Sequence, residues 1–176
     1  MGLLVGAYFL MEHLGSGYQG EQLVTAPTQD TQADQEDTAT DPVPDFTVYD
    51  AQGNPVKLSD MRGKPVVINL WASWCSPCKN EMPGFQNLAQ KYDGEVVFMM
   101  VNVTGIDTME DAQAFIQSQG YTFPVYYDKD NSAATNYYSG SVPMTYFINS
   151  DGEYVTHAVG AIDESLLEKG IGMIKN

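Results

Sequence analysis

The sequence predicts an α/β domain with a mixed β-sheet flanked by helices, and three observations lead to this fold class. Strand-length apolar runs alternate with segments of helical periodicity from residue 45 onward. Two of these runs lack polar alternation, which is typical of strands covered on both faces. The chain then closes with a strand-turn-strand pattern and a helical segment. This order favours one sheet with helices on both faces.

The first half of the domain is predicted to contain a hairpin, two buried strands and a helix between the strands. Turn formers at Gly53-Asn54 separate the two hairpin strands. The run KPVVINLWA predicts a central strand, and EVVFMMVNV predicts a second. Between them, apolar residues recur at helical spacing until Gly94, and Pro83 inside this helix predicts a kink.

The second half is predicted to contain three helices, a strand and a hairpin. Asp107 followed by Glu110 predicts an N-capping box for a helix that stops at Gly120. Asp151-Gly152 predicts the turn of the last hairpin. In chain order we expect a hairpin (45–50 and 55–58), a strand (64–72), a helix (75–92), a strand (95–103), a helix (107–119), a strand (122–128), a short helix (132–138), a hairpin (144–149 and 154–159) and a helix (163–174).

The segment that precedes the domain has two parts. Residues 1–14 form an apolar leader, interpreted as the remnant of a signal-anchor, with a short amphipathic start as the alternative. Residues 15–44 are acidic, polar and poor in large apolar side chains, which predicts a disordered tether. The folded domain is expected to span 45–176. This organisation suggests a protein held on the outer face of a membrane.

The charge distribution excludes one class of partner. Residues 1–56 carry nine acidic residues and no lysine or arginine, and the whole chain has a formal charge of −15. A nucleic-acid-binding surface needs a stripe of basic residues, so nucleic acid is not an expected partner. Anionic lipid head groups would also repel the chain.

The chain contains two cysteines, Cys75 and Cys78, in a C-x-x-C motif. A zinc site is disfavoured, because only His13 and His157 remain as further nitrogen ligands. A structural crosslink is disfavoured as well, because such a short ring constrains the unfolded chain very little. We assign no role to His157, which is interpreted as a strand residue.

A redox centre has positive support from the local sequence. A sulfur of Cys75 in the first helical turn would face unpaired backbone N–H groups and the positive end of the helix dipole, which favour a thiolate. Cys78 lies three residues on, on the same helical face, and could resolve a mixed disulfide. Between them, Ser76 and Pro77 complete the motif, and Pro77 fits the first turn.

The segment NLWASWCSPCKNEMP resembles the active-site segment of thioredoxin-fold proteins, most closely that of the TlpA/ResA-like extracytoplasmic thiol-disulfide oxidoreductases. The resemblance covers roughly residues 43–174 and includes the motif from Trp74 to Lys79, the opening hairpin and a helix-strand insertion at about 107–127. It also includes SVPMTYFIN, which implies a cis peptide between Val142 and Pro143 facing the disulfide.

The resemblance implies roles for further residues. Thioredoxin has a buried aspartate where this chain has Asn69, whereas Glu81 matches a glutamate of the TlpA/ResA-like family and would manage the Cys78 proton. A solvated helix residue is the alternative for Glu81. Trp74 is expected to dock partners beside Cys75. Trp71 is expected in the core, and Lys79 on the exposed side of the helix.

Tyr137 and Tyr138 lie near the expected approach to the site. They could line a groove for a partner, but two aromatic residues on a short helix favour packing.

The expected function is an extracytoplasmic thiol-disulfide oxidoreductase that reduces disulfides of exported proteins, needs no cofactor beyond the Cys75–Cys78 disulfide and acts as a monomer. By resemblance, a membrane thiol donor of the CcdA/DsbD type would reduce it again, and clients could include apocytochrome c or a methionine sulfoxide reductase.

An oxidase or isomerase of the same fold is the nearest alternative. A non-catalytic binding module is another. A peroxiredoxin is disfavoured, because Ala72 stands where that class needs Thr or Ser and Arg62 is the only arginine.

Overall fold

The computed structural model describes residues 43–175 and, for the backbone alone, residues 23–25. The predicted leader, most of the tether and His13 lie outside the described residues. Within the described residues, no helix is long and apolar enough to cross a membrane.

The secondary structure follows the predicted order. The strands are β1 (Leu23–Thr25), β2 (Thr47–Tyr49), β3 (Pro55–Lys57), β4 (Val66–Trp71), β5 (Val97–Asn102), β6 (Val125–Tyr127), β7 (Met144–Ile148) and β8 (Tyr154–Val159). The α-helices are α1 (Ser76–Lys91), α2 (Met109–Gln119), α3 (Ser132–Tyr137) and α4 (Glu164–Ile174), and a 3₁₀ helix covers Leu58–Met61. Pro83 lies inside α1, as expected.

All the strands belong to one mixed sheet with the order β1-β8-β7-β4-β5-β6-β2-β3. The strands β4, β5 and β6 are parallel, and β7 is antiparallel to β4. The first hairpin extends one side of this core through the antiparallel pairing of β2 with β6. The fold class predicted from the sequence is confirmed, including the opening hairpin and the helix-strand insertion.

Helices cover both faces of the sheet, and every residue of β4 is buried as a result. Val67 and Trp71 point to one face, where they pack with apolar residues of α1, α2 and α4. Val66, Ile68 and Leu70 point to the other face, toward α3 and the first hairpin. The alternation of side chains along a strand explains this division. Asn69 shares the face of Val67 and Trp71, so it points toward α1.

Strand β1 departs from the expected organisation of the chain. Its three residues belong to the segment predicted as a disordered tether, and the structure pairs them antiparallel with β8. A Leu-Val-Thr sequence has high β-propensity, and an edge strand offers it unpaired backbone groups. At these three positions the structure therefore differs from the prediction.

Candidate active site

The C-x-x-C motif lies where β4 passes into α1. Cys75 is the N-cap of α1, and its Sγ accepts a hydrogen bond from the backbone N–H of Cys78 at 3.2 Å. Pro77 lies in the first turn, where its missing N–H removes no helical hydrogen bond. The sulfur of Cys75 therefore lies among the unpaired N–H groups at the start of the helix, as the sequence predicts.

The two cysteines form a disulfide that is almost entirely covered by protein. Their Cα atoms are 5.3 Å apart, and the exposed fraction is 3% for Cys75 and 0% for Cys78. The Sγ of Cys75 lies 3.6 Å from the carbonyl oxygen of Val142, and the Val142–Pro143 peptide is cis. The structure thus brings Val142 and Pro143 against the motif.

Trp74 is the most exposed large apolar side chain among the described residues, at 59%. Its indole Nε1 donates a hydrogen bond of 2.7 Å to the carbonyl oxygen of Ile106, whose own side chain is 37% exposed. The two side chains form an apolar surface beside Cys75. Trp71, by contrast, is fully buried, which confirms its predicted place in the core.

Asp107 fixes the backbone just before the motif. Its carboxylate accepts hydrogen bonds from the backbone N–H of Ser73 at 2.6 Å, the hydroxyl of Ser73 at 2.7 Å and Nδ2 of Asn102 at 2.7 Å. It also accepts one from the N–H of Thr108 at 2.8 Å. Partial burial acts to raise the pKa of Asp107, but these hydrogen bonds outweigh burial and lower the pKa. An ionised carboxylate therefore connects the loop before α2 to the segment that carries Trp74 and Cys75.

The prediction that Asp107 caps α2 was wrong. Thr108 is the N-cap, and its hydroxyl accepts the N–H of Asp111. Both Asp107/Glu110 and Thr108/Asp111 have capping-box-like spacing, so the sequence alone could not distinguish them. Sequence reasoning consequently missed the contact of Asp107 with the motif.

Glu81 lies on the buried side of α1, one turn after Cys78, and is only 5% exposed. Its Oε1 accepts a hydrogen bond of 2.8 Å from Nδ2 of Asn69 on β4. Its Oε2 accepts one of 3.1 Å from the backbone N–H of Ile162, in the loop before α4. The alternative of a solvated helix residue is therefore wrong, because a solvated carboxylate would not lie in the core.

Burial raises the pKa of Glu81 to about 8, because water no longer stabilises the charged form. The hydrogen bonds from Ile162 and Asn69 act in the opposite direction but are weaker. No charged side chain among the described residues contributes to this pKa. The result is a buried carboxyl group whose raised pKa lies close to neutral pH, one turn along α1 from Cys78.

The other aromatic candidates take part in packing. Tyr137 is buried, and its hydroxyl donates to the carbonyl oxygen of Pro44. Tyr138 packs at the edge of the same cluster. His157 stacks on the ring of Tyr146, and burial lowers its pKa.

Lys79 is partly exposed, with its Nζ 5.1 Å from the ring centroid of Phe115. Among the described residues, no group of three or more potential metal ligands lies together.

The fold and this site define a class of protein. A mixed sheet flanked by helices, a C-x-x-C disulfide at the start of a helix and a cis proline against it are the features of a thioredoxin-fold redox protein. A solved structure of StoA from Bacillus subtilis has this fold, with a TM-score of 0.65 and 24% identity over 74% of this chain and 98% of that chain. The exposed lipoprotein thioredoxin of Streptococcus pneumoniae gives a TM-score of 0.65 and 26% identity, over 73% of this chain and 98% of that chain.

Sequence comparisons show the family. The AhpC/TSA family matches residues 39–157. The thiol-disulfide oxidoreductase ResA of Bacillus subtilis is 33% identical over 133 residues, which are 75% of this chain and 73% of that protein. ResA of Oceanobacillus iheyensis is 38% identical over 133 residues, covering 73% and 68% of the two chains. The chain therefore belongs to the AhpC/TSA family and, within it, to the ResA/TlpA-like thiol-disulfide oxidoreductases.

Proposed function

We propose that this protein is an extracytoplasmic reductase of disulfides in exported proteins, with Cys75 as the nucleophile, Cys78 as the resolving cysteine and Glu81 as the acid/base. One observation carries the proposal. The sulfur of Cys75 is the N-cap of α1 and accepts the Cys78 N–H, while Cys78 itself is buried behind it. This arrangement stabilises a thiolate on Cys75 and leaves Cys78 to attack only from inside the protein.

The first step is attack by the Cys75 thiolate on one sulfur of a client disulfide. The S–S bond of the client breaks, a new S–S bond joins the client to Cys75, and the other client sulfur leaves as a thiolate that takes a proton from solvent. Val142 and Pro143 shape the surface on which the client backbone would lie, since the Val142 carbonyl oxygen is 3.6 Å from Sγ of Cys75.

The second step releases the client. Cys78 gives its proton to the Glu81 carboxylate and attacks Sγ of Cys75, so the Cys75–client bond breaks and the Cys75–Cys78 bond forms. The second client sulfur leaves as a thiolate and is protonated. In total the client gains two electrons and two protons, and the dithiol of the protein loses them.

Glu81 suits this transfer because its pKa of about 8 is close to that of an ordinary thiol, about 8.5. Proton exchange between groups of similar pKa is nearly balanced in both directions. An ordinary glutamate has a pKa about four units below that of a thiol, so it would be a much weaker acceptor for the Cys78 proton.

The location and partners are supported by sequence and by relatives. An apolar leader followed by a polar, acidic segment suits a domain tethered outside the cytoplasmic membrane, and the Streptococcus pneumoniae relative is named as an exposed lipoprotein. A membrane thiol donor of the CcdA/DsbD type would restore the dithiol. Apocytochrome c and a methionine sulfoxide reductase are the proposed kinds of client, and the apolar surface of Trp74 and Ile106 is the proposed docking surface.

Two further activities fit less well. A peroxidase would need a hydroxyl residue and an arginine beside the cysteine, but Ala72 is buried before the motif and Arg62 lies near the amino end of β4, away from Cys75. A binding module that uses the fold without exchange would not need a buried proton-exchanging carboxyl beside the cysteines. An oxidase shares the whole site and differs only in direction.

Cysteine variants test the proposal. Cys78→Ser should accumulate a mixed disulfide between Cys75 and a disulfide-containing peptide, detected by mass spectrometry, because no resolving thiol remains. Cys75→Ser is the matched control and should trap nothing, because Cys78 is fully buried and lacks the N-cap position that stabilises the Cys75 thiolate. Equal trapping by the two variants would overturn the assigned order, and no trapping by Cys78→Ser would overturn exchange at this site.

A further inference from the structure

Asn69 is a buried amide with one atom unpaired. It lies in the central strand β4 with an exposed fraction of 0%, directly opposite Thr145 on β7. Its Nδ2 donates to Oε1 of Glu81 at 2.8 Å and to Oγ1 of Thr145 at 3.1 Å. Its Oδ1 has no hydrogen-bond partner among the described residues.

Because Oδ1 has no partner among the described residues, no hydrogen bond at this atom holds the amide in its present orientation. The present contacts of Glu81 suit only one of its two protonation states. An ionised carboxylate accepts hydrogen bonds and donates none, and both of its oxygens here accept from N–H groups. A protonated carboxyl carries an O–H that must donate, and Nδ2 of Asn69 cannot accept it.

A half-turn of the Asn69 amide supplies the missing acceptor. The two ends of an amide have nearly the same shape, so this turn needs no repacking around β4. After the turn, Oδ1 lies where Nδ2 now contacts Glu81. Thr145 keeps its hydrogen bond in both orientations, because a hydroxyl both donates and accepts. Each protonation state of Glu81 then has a matching orientation of Asn69, and the end of the amide without a partner is Oδ1 in one orientation and Nδ2 in the other.

We propose that Asn69 is a positioning residue that follows the protonation of Glu81, presenting Nδ2 to the carboxylate and, after a half-turn, Oδ1 to the protonated acid. This inference rests on the proposed function only in that the same carboxyl exchanges the Cys78 proton there. Asn69, a neutral residue at the position where thioredoxin has an aspartate, thus changes its orientation when Glu81 gains or loses a proton. The amide keeps the carboxyl hydrogen-bonded at both stages of the exchange.

The groups that face Glu81 allow a clean titration. Asn69 on β4, Thr145 on β7 and the N–H of Ile162 are uncharged at all relevant pH values. On α1 itself, Cys78 is the titratable neighbour, and in the oxidised protein it is held in the disulfide and does not titrate. In the oxidised full-length protein, the titration of the Glu81 carboxyl is therefore not coupled to that of a group facing it.

The test is NMR of the oxidised full-length chain at pH 6 and pH 9.5, with the Glu81 carboxyl carbon followed in between. At pH 9.5 we expect a nuclear Overhauser cross-peak from the Asn69 side-chain NH₂ to the Thr145 methyl. At pH 6, two units below the Glu81 pKa, this cross-peak should be at least about tenfold weaker. The change should share the midpoint of the carboxyl titration.

Two controls separate the amide turn from a general pH effect. Asn102 is also fully buried, and its Nδ2 donates to Asp107, whose pKa is lowered, so its cross-peaks should be the same at both pH values. In Glu81→Gln the Asn69 cross-peak should no longer depend on pH. An Asn69 cross-peak of equal strength at pH 6 and pH 9.5 would overturn the proposal, as would a Glu81 carboxyl that does not titrate in this range. Neither result bears on the trapping experiment with the cysteine variants, so the roles assigned to Cys75 and Cys78 and the turn of the Asn69 amide fail separately.

Discussion

Glu81→Gln should remove a pH-dependent loss of stability that the buried carboxyl imposes on the folded protein. Between the ordinary glutamate pKa of 4.5 and the folded value of about 8, the folded protein keeps a proton on Glu81 that the unfolded chain releases. The folded state binds more protons in this window, so the free energy of unfolding falls as pH rises through it. Glutamine neither binds nor releases a proton, so the variant lacks this contribution.

The magnitude follows from the width of the window. It spans about 3.5 pH units, and each unit corresponds to about 1.4 kcal/mol, so wild type should lose up to about 5 kcal/mol relative to Glu81→Gln between pH 4.5 and pH 8. Below pH 4.5 and above pH 8 the difference between the two proteins should be constant. Other titrating groups are common to both proteins and cancel in the difference.

Urea unfolding of the oxidised full-length proteins, at half-unit steps from pH 4 to pH 9.5, measures this difference. The oxidised form is used because the disulfide cysteines do not titrate. Glu110→Gln, at an exposed position on α2, controls for the loss of one carboxylate. If the curves for wild type and Glu81→Gln run parallel over the whole range, Glu81 has no raised pKa and the account of the proton step is wrong.

Two further substitutions, each paired with a control, test how the site and the core are held. Asp107→Asn should lower the free energy of unfolding by about 2 kcal/mol and slow disulfide exchange, because an amide cannot accept four hydrogen bonds. Asp93→Asn, at an exposed position, should change neither. Gly170→Ala should destabilise the protein by about 1–3 kcal/mol, because its Cβ would lie 2.3 Å from the buried ring of Phe147. In the same helix, a Cβ added by Gly172→Ala would meet no atom of a neighbouring element within 4 Å, so this variant should be neutral or stabilising by up to about 1 kcal/mol. Urea unfolding measures the stabilities, and the rate of exchange with a peptide disulfide measures the second effect of Asp107→Asn. Equal effects of Gly170→Ala and Gly172→Ala would contradict the packing described for α4.

Much of the fold could be predicted because local signals agree with the tertiary structure. The apolar run of β4 is buried on both faces, the turn residues of both hairpins lie at their turns, and Cys75 begins a helix as its position after a strand predicts. Strand β1 could not be predicted, because three residues within a polar segment gain their order from pairing with β8.

The site was predictable where residues are close in sequence and not where they meet only in space. The spacing of Cys75 and Cys78 gives their pairing directly, and the place of the cis Val142–Pro143 peptide beside Cys75 followed from the family resemblance. The contact between Asn69 and Glu81 joins a strand to a helix, and the only sequence signal for it is a polar residue inside an apolar run. Asp107 gave a misleading signal, because a carboxylate before a helix is more often a cap.

The central claim is that Cys75 and Cys78 form a reversible two-electron centre. The most direct measurement equilibrates the full-length protein with thiol buffers of defined potential and counts the alkylated cysteines by mass spectrometry. The account predicts one transition from no free thiol to two, with a midpoint below about −220 mV as expected for a reductase. A midpoint above about −180 mV would reverse the proposed direction, and a disulfide that cannot be reduced without unfolding the protein would contradict the redox function itself.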